Sequence, residues 1–254
     1  MPGRRLPVSP GPGVASGTLV VMTARTGRQA RNRDAGPAGV RYAVDSGRYS
    51  GQLPVLRPVS RSVGNARMTR PPDAVLEATP GDRARAAADA LGDDALTRWC
   101  GDLLAGRTAY GDPREPDPGW LGGHVAQTWG SPVRLVGSDR DYWVRTWAAR
   151  TLLYVWDERR VPNVVAGLRD PAWRVREMCA RVVVRWEVGE AVEVAADLLD
   201  DENVRVRVAA LRVLAEVGEH KHLLAVDEAA DDEEPAVRTA SVRAGDKLRE
   251  RLDL

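Results

Sequence analysis

A Val-Arg pair recurs four times in the C-terminal half of the chain, and the apolar residues after each pair keep helical spacing. The pairs stand at Val144-Arg145, Val175-Arg176, Val204-Arg205 and Val237-Arg238. An aspartate precedes each valine by one helical turn or slightly more, at Asp139, Asp170, Asp200 and Asp232. A period of about 30 residues is typical of stacked helix pairs, in which each unit buries its apolar face only against its neighbours. The repeat therefore predicts an all-α solenoid.

Each unit is predicted to begin with a longer helix, called helix A, whose core positions follow the valine in steps of four, three and four. A shorter helix, called helix B, is expected over 161–169, 190–199 and 220–230, and a closing helix over 235–251. The predicted helix A core positions are Val144, Ala148, Thr151 and Val155, then Val175, Cys179, Val182 and Trp186, then Val204, Val208, Leu211 and Ala215.

The charge divides the chain into regions of different character. Residues 1–67 carry 11 Arg against two Asp, a net charge of +9, and are rich in Gly and Pro, whereas residues 68–254 have a net charge of −8. We expect 1–67 to be a disordered basic extension, 68–138 an irregular helical cap and 139–254 the repeats. The extension is open to three interpretations: a basic tail for nucleic acid or an acidic partner, a secretory signal, or a segment upstream of a start near Met68. The third is favoured.

Two strings show a family resemblance: VPNVVAGLRDPAWRVREMCARVVVRWEVGE and DDENVRVRVAALRVLAEVGE. They resemble HEAT repeats, and more narrowly the short type of roughly 30 residues that is also found in phycobilin lyases. The resemblance covers about residues 139–251 and implies a right-handed α-solenoid in which the B helices form the concave side. It says little about activity, because such repeats serve scaffolds, adaptors and a few enzymes alike.

The acidic residues concentrate in the second and third B segments, 188–202 and 219–234, whereas the first B segment is basic through Arg159, Arg160 and Arg169. Helix A is basic in the second and third units. Acidic side chains in excess of cations favour a surface that attracts a basic protein segment and repels phosphate. This charge counts against nucleic acid in the groove, where Lys and Arg would have to neutralise phosphates. The residues predicted to contact a protein partner are Glu190, Glu193, Asp197, Asp227, Glu228 and Asp231.

The recurring arginines and aspartates have a structural interpretation. Each arginine can reach an aspartate at the edge of a repeat, so the pairs form a ladder that fixes the stacking. We therefore assign a structural role to Arg145, Arg176, Arg205, Arg238, Asp139, Asp170, Asp200 and Asp232.

No constellation of catalytic or metal-binding residues is evident. The chain has three histidines, and His220 and His222 are spaced so that they do not share a helix face. The two cysteines, Cys100 and Cys179, form no CxxC motif and suggest buried thiols in the cytoplasm. No window approaches the roughly 18 apolar residues of a membrane span. We expect no cofactor, no metal and no membrane association.

The favoured function is a non-enzymatic scaffold or adaptor for protein–protein interaction through the acidic face of the B helices. The first alternative is a nucleic-acid-binding protein that uses the basic tail or the arginines of the A helices. The second is a HEAT-like lyase or DNA glycosylase, a comparison suggested by eight tryptophans that all lie between Trp99 and Trp186. Packing and binding both remain open as roles for these tryptophans.

Overall fold

The computed structural model describes residues 70–128 and 140–254, and within them the regular structure is entirely helical. The basic extension 1–67, Asp139 and Trp129 lie outside the described residues. Before the gap the helices are α1 Asp73–Glu77, α2 Pro80–Leu91, α3 Asp93–Leu104, α4 Gly119–Gly122 and α5 His124–Thr128. After it they are α6 Tyr142–Leu152, α7 Val161–Gly167, α8 Trp173–Trp186, α9 Val192–Asp197, α10 Val204–Val217, α11 Leu223–Glu228 and α12 Pro235–Arg251.

Four of these helices form a row that corresponds to the three predicted A helices and the predicted closing helix. Helix α6 packs on α8, α8 on α10 and α10 on α12, and α3 packs on α6 at the other end of the row. The shorter helices α7, α9 and α11 each pack against the A helix that follows them in the chain. Short 3₁₀ turns precede α7, α9 and α11, at Glu158–Arg160, Gly189–Ala191 and His220–His222. The result is a stack of helix pairs, as the period of the repeat predicted.

The first buried valine of each A helix recurs at a constant interval. Val144, Val175, Val206 and Val237 are equally spaced along the chain and are 5%, 0%, 0% and 1% exposed, respectively. The predicted first position of the third unit, Val204, is only partly buried. The register assigned to that unit is therefore wrong by one Val-Arg pair, and the structural pair is Val206-Arg207. The sequence NVRVRV offers two Val-Arg pairs in succession, and only packing against α8 selects between them.

The corrected register also changes which residue of the third unit stands five places after the buried valine. At the fifth place after the buried valine stand Ala149 and Ala180 in the first two units, but Leu211 in the third. All three are fully buried, and full burial of a leucine contributes about 1.5–3 kcal/mol. This position thus holds a larger side chain in the third unit than in the first two.

The A helices α8 and α10 do not end on a left-handed glycine, the residue that commonly follows a helix. Helix α8 ends at Trp186, and the left-handed residue after it is Glu187, with φ 52° and ψ 46°. Gly189, the first glycine after α8, begins the next 3₁₀ turn. Gly218 does follow α10, but with φ −64° rather than the left-handed backbone for which glycine is usually chosen. The strained residue at this end of the unit is therefore a glutamate.

Candidate functional site

Bidentate ion pairs join successive units of the stack. Arg145 Nε donates to Asp170 Oδ2 at 2.6 Å and its Nη2 to Oδ1 at 3.1 Å. Arg176 makes the same two contacts with Asp201, at 2.6 and 2.9 Å. In each pair the aspartate belongs to the next unit, and both side chains are largely removed from water. We call these pairs the inter-repeat bridges; the third joins Arg207 to Asp232, at 2.8 and 3.0 Å.

The arginine of the following unit donates a further hydrogen bond to the main-chain oxygen of each bridging aspartate. Arg176 Nη1 donates to the main-chain oxygen of Asp170 at 2.8 Å, and Arg207 Nη1 to that of Asp201 at 2.9 Å. Arg238 repeats the contact with the main-chain oxygen of Asp232 at 2.7 Å. Each aspartate therefore accepts hydrogen bonds from two successive arginines, and hydrogen bonding to Arg207 lowers the pKa of Asp232. These contacts link successive units of the stack.

Two of the predicted ladder residues do not take part in these bridges. Arg205 is exposed, and its guanidinium lies 5.7 Å from the ring centre of Trp173. Its place in the bridge is taken by Arg207. Asp200 is exposed too, and the bridge uses Asp201 instead. Both differences follow from the corrected register of the third unit. The bridging residues Arg207 and Asp201 lie further along the chain than the predicted Arg205 and Asp200.

All six predicted partner-binding acids are exposed, but the structure divides them into two groups. Three have a cation from another segment of this chain nearby: Glu193 with Lys221 at 2.6 Å, Asp197 with Arg169 at 3.7 Å and Asp227 with Arg249 at 2.5 Å. Hydrogen bonding to Lys221 also lowers the pKa of Glu193. Within residues 70–128 and 140–254, the other three have no ion-pair partner: Glu190, Glu228 and Asp231.

A groove lies beside this acidic surface, between the first B segment and the end of α8. Its volume is about 1070 Å³, and Trp156 and Trp186 line it together with Pro162 and Val165. The two indole rings are nearly parallel, with an angle of 10° and centroids 5.8 Å apart. Trp186 Nε1 donates to the main-chain oxygen of Leu152 at 2.8 Å, which fixes this ring. No sequence pattern indicated this groove.

Of the three histidines, His222 has a role that the sequence did not indicate. It is 4% exposed, and its Nδ1 accepts the main-chain N–H of Glu219 at 2.9 Å, which caps the 3₁₀ turn before α11. His220 is exposed, in keeping with a solvated start of the segment.

The A helices carry a second periodic row of arginines. Arg181, Arg212 and Arg243 are exposed and equally spaced along the chain. Arg181 pairs with Glu177 of its own helix at 2.8 Å, whereas Arg212 and Arg243 make no ion pair with the described residues. The A helices thus present free positive charge, and the B segments free negative charge.

The described residues bring together no group of three or more His, Cys, Asp or Glu side chains that could hold a metal ion. Cys100 and Cys179 are fully buried free thiols, and burial raises the pKa of both. A buried thiol of raised pKa holds little thiolate and is a poor nucleophile. Neither cysteine has the properties of a catalytic residue.

Comparison with protein families shows that residues 161–246 match the family of HEAT repeats. The match covers the second and third units and most of α12, the part of the chain that contains Val175, Val206 and Val237 of the equally spaced set. No curated protein matches the chain significantly. No helix in 70–128 or 140–254 combines the length and apolar character needed to cross a bilayer.

Proposed function

We propose that the chain is a non-enzymatic scaffold that binds a basic protein segment along the exposed face of its B segments. The observation that carries this proposal is the set of exposed carboxylates without an internal cation, Glu190, Glu228 and Asp231. Such groups keep their full attraction for an external cation, whereas a carboxylate already paired with Lys or Arg has lost much of it.

The similarity to HEAT repeats supports the proposal, because these repeats are commonly protein-interaction scaffolds. In keeping with the resemblance, we place the B segments on the concave side of a right-handed solenoid and regard residues 68–138 as a helical cap on its first unit. The buried free thiols are consistent with a cytoplasmic location.

The bridges explain why most of the periodic charge is not available to a partner. Arg176 and Arg207 each satisfy an aspartate and a main-chain oxygen inside the stack. A partner is therefore expected to contact charged residues that take no part in the inter-repeat bridges.

A direct test is the binding of a fluorescently labelled arginine-rich peptide, followed by anisotropy. The triple variant Glu190→Gln, Glu228→Gln and Asp231→Asn should bind about tenfold more weakly than the original chain, since exposed ion pairs contribute about 0.2–1 kcal/mol each. It also leaves every ion pair described above intact.

The matched control removes three exposed carboxylates outside the B segments, by Asp89→Asn, Asp246→Asn and Asp253→Asn. Its net charge equals that of the first triple variant, and it should keep most of the affinity. Equal weakening by both triple variants would show that net charge rather than the B-segment face governs binding, and the proposal would then be wrong.

A second candidate function is binding of a polyanion such as nucleic acid on the A helices. Its support is that Arg212 and Arg243 have no ion-pair partner among the described residues and continue the equally spaced row begun by Arg181. It predicts salt-sensitive binding of duplex DNA that is lost on Arg212→Gln and Arg243→Gln but unaffected by the B-segment variants.

A further inference from the structure

The groove lined by Trp156 and Trp186 combines apolar and charged side chains. Pro162, Val165 and Ala166 of the first B segment line it together with the two indoles. Trp156 and Trp186 are only half-buried, so their rings are still in contact with water. An apolar side chain that displaces this water gains free energy in proportion to the area covered.

The charges at the edge of the groove favour a cation. Glu158, Glu187 and Glu190 line it, are exposed and form no ion pair with described residues. The two arginines of the lining are already engaged: Arg159 contacts Asp94 at 2.6 Å and Asp157 at 2.7 Å, and Arg169 lies 3.7 Å from Asp197. An anionic ligand would therefore face three uncompensated carboxylates.

The backbone holds one of these carboxylates at the groove in an uncommon conformation. Glu187 follows directly on Trp186 and has φ 52° and ψ 46°, a region that residues with a side chain rarely adopt. Strained backbone of this kind is concentrated at binding and catalytic sites.

We propose that this groove receives one bulky apolar side chain, such as leucine, from the basic segment, while flanking Arg or Lys residues of that segment pair with Glu158, Glu187 and Glu190. The inference rests on the proposed function and adds to it a sequence requirement for the partner. A segment of only cationic and polar residues would leave the indole rings exposed to water. A purely apolar segment would leave the three carboxylates without an ion-pair partner.

The test compares two labelled peptides of equal positive charge, one with leucine and the other with serine at the centre of a run of arginines. The original chain should bind the leucine peptide about tenfold more tightly. Ala166→Gln places an uncharged, larger side chain at an exposed helical position in the groove. It should remove the preference while keeping the affinity for the serine peptide.

Ala90→Gln makes the same change at an exposed helical position of α2, outside the groove, and should keep the preference. Equal affinity of the original chain for the two peptides, or a preference that survives Ala166→Gln, would overturn the inference. If both peptides bind equally and the B-segment triple variant weakens them, the proposed function stands and only the groove is excluded. If neither peptide binds, both proposals are wrong.

Discussion

The inter-repeat bridges make a sharp prediction for two adjacent aspartates. Asp201 has a side chain that is 5% exposed and accepts hydrogen bonds from Arg176 and from the main-chain nitrogen of Asn203 at 2.8 Å. Asp201→Ala would leave the largely buried guanidinium of Arg176 with two main-chain oxygens and with Glu202 at 3.6 Å. Breaking a buried pair costs about 3–5 kcal/mol, and the nearby Glu202 places this case at the lower end, about 3 kcal/mol.

The neighbouring Asp200 is the matched control, since it is exposed and without an ion-pair partner among the described residues. Asp200→Ala should change the free energy of unfolding by no more than about 0.5 kcal/mol. The measurement is urea unfolding followed by far-ultraviolet circular dichroism. An equal loss of stability in the two variants, or a cost below about 1 kcal/mol for Asp201→Ala, would refute the assignment of the bridges.

Three further predictions concern local features of the stack. Glu187→Gly should raise the free energy of unfolding by about 0.5–1 kcal/mol, because glycine adopts the left-handed backbone without strain, and Glu187→Asn should change it in the same direction by less. Gly167→Ala places a Cβ atom well inside van der Waals contact with Cys179 Sγ and should cost about 1–3 kcal/mol in urea unfolding, part of which Cys179→Ala in the same chain should restore. Hydrogen bonding to Arg207 holds the pKa of Asp232 below its unfolded value, so its contribution is present above the unfolded pKa and is lost as the pH falls through the folded one. Asp232→Asn should therefore flatten the acid limb of a plot of unfolding free energy against pH, and an unchanged acid limb would contradict this.

The sequence was sufficient for the helical class and the stacking, because a short period combined with helical spacing leaves few other architectures. The error in the third unit arose where two Val-Arg pairs follow each other directly, so that local pattern alone could not choose between Val204 and Val206. Equal spacing would have selected Val206, since it lies midway between Val175 and Val237. The equal spacing therefore indicated the correct valine. The slightly shorter interval from Val175 to Val204 is, however, also compatible with repeats of this type.

Less of the candidate site than of the fold could be predicted from the sequence. The exposure of Glu190, Glu228 and Asp231 followed from their place in polar segments, but pairs such as Asp227 with Arg249 join residues of different helices. Which acids remain free depends on how α11 packs on α12, and no short-range pattern encodes this. The groove has the same origin, because the stacking of Trp156 on Trp186 is set by the packing of successive units.

The most direct test of the account is a nuclear magnetic resonance titration of the full chain with the arginine-rich peptide that carries a central leucine. We expect backbone amide shifts to change in Glu158–Arg160 and α7, in α9 and in α11, with large changes in the side-chain signals of Trp156 and Trp186. Shift changes confined to the exposed face of α8, α10 and α12 around Arg181, Arg212 and Arg243 would contradict it.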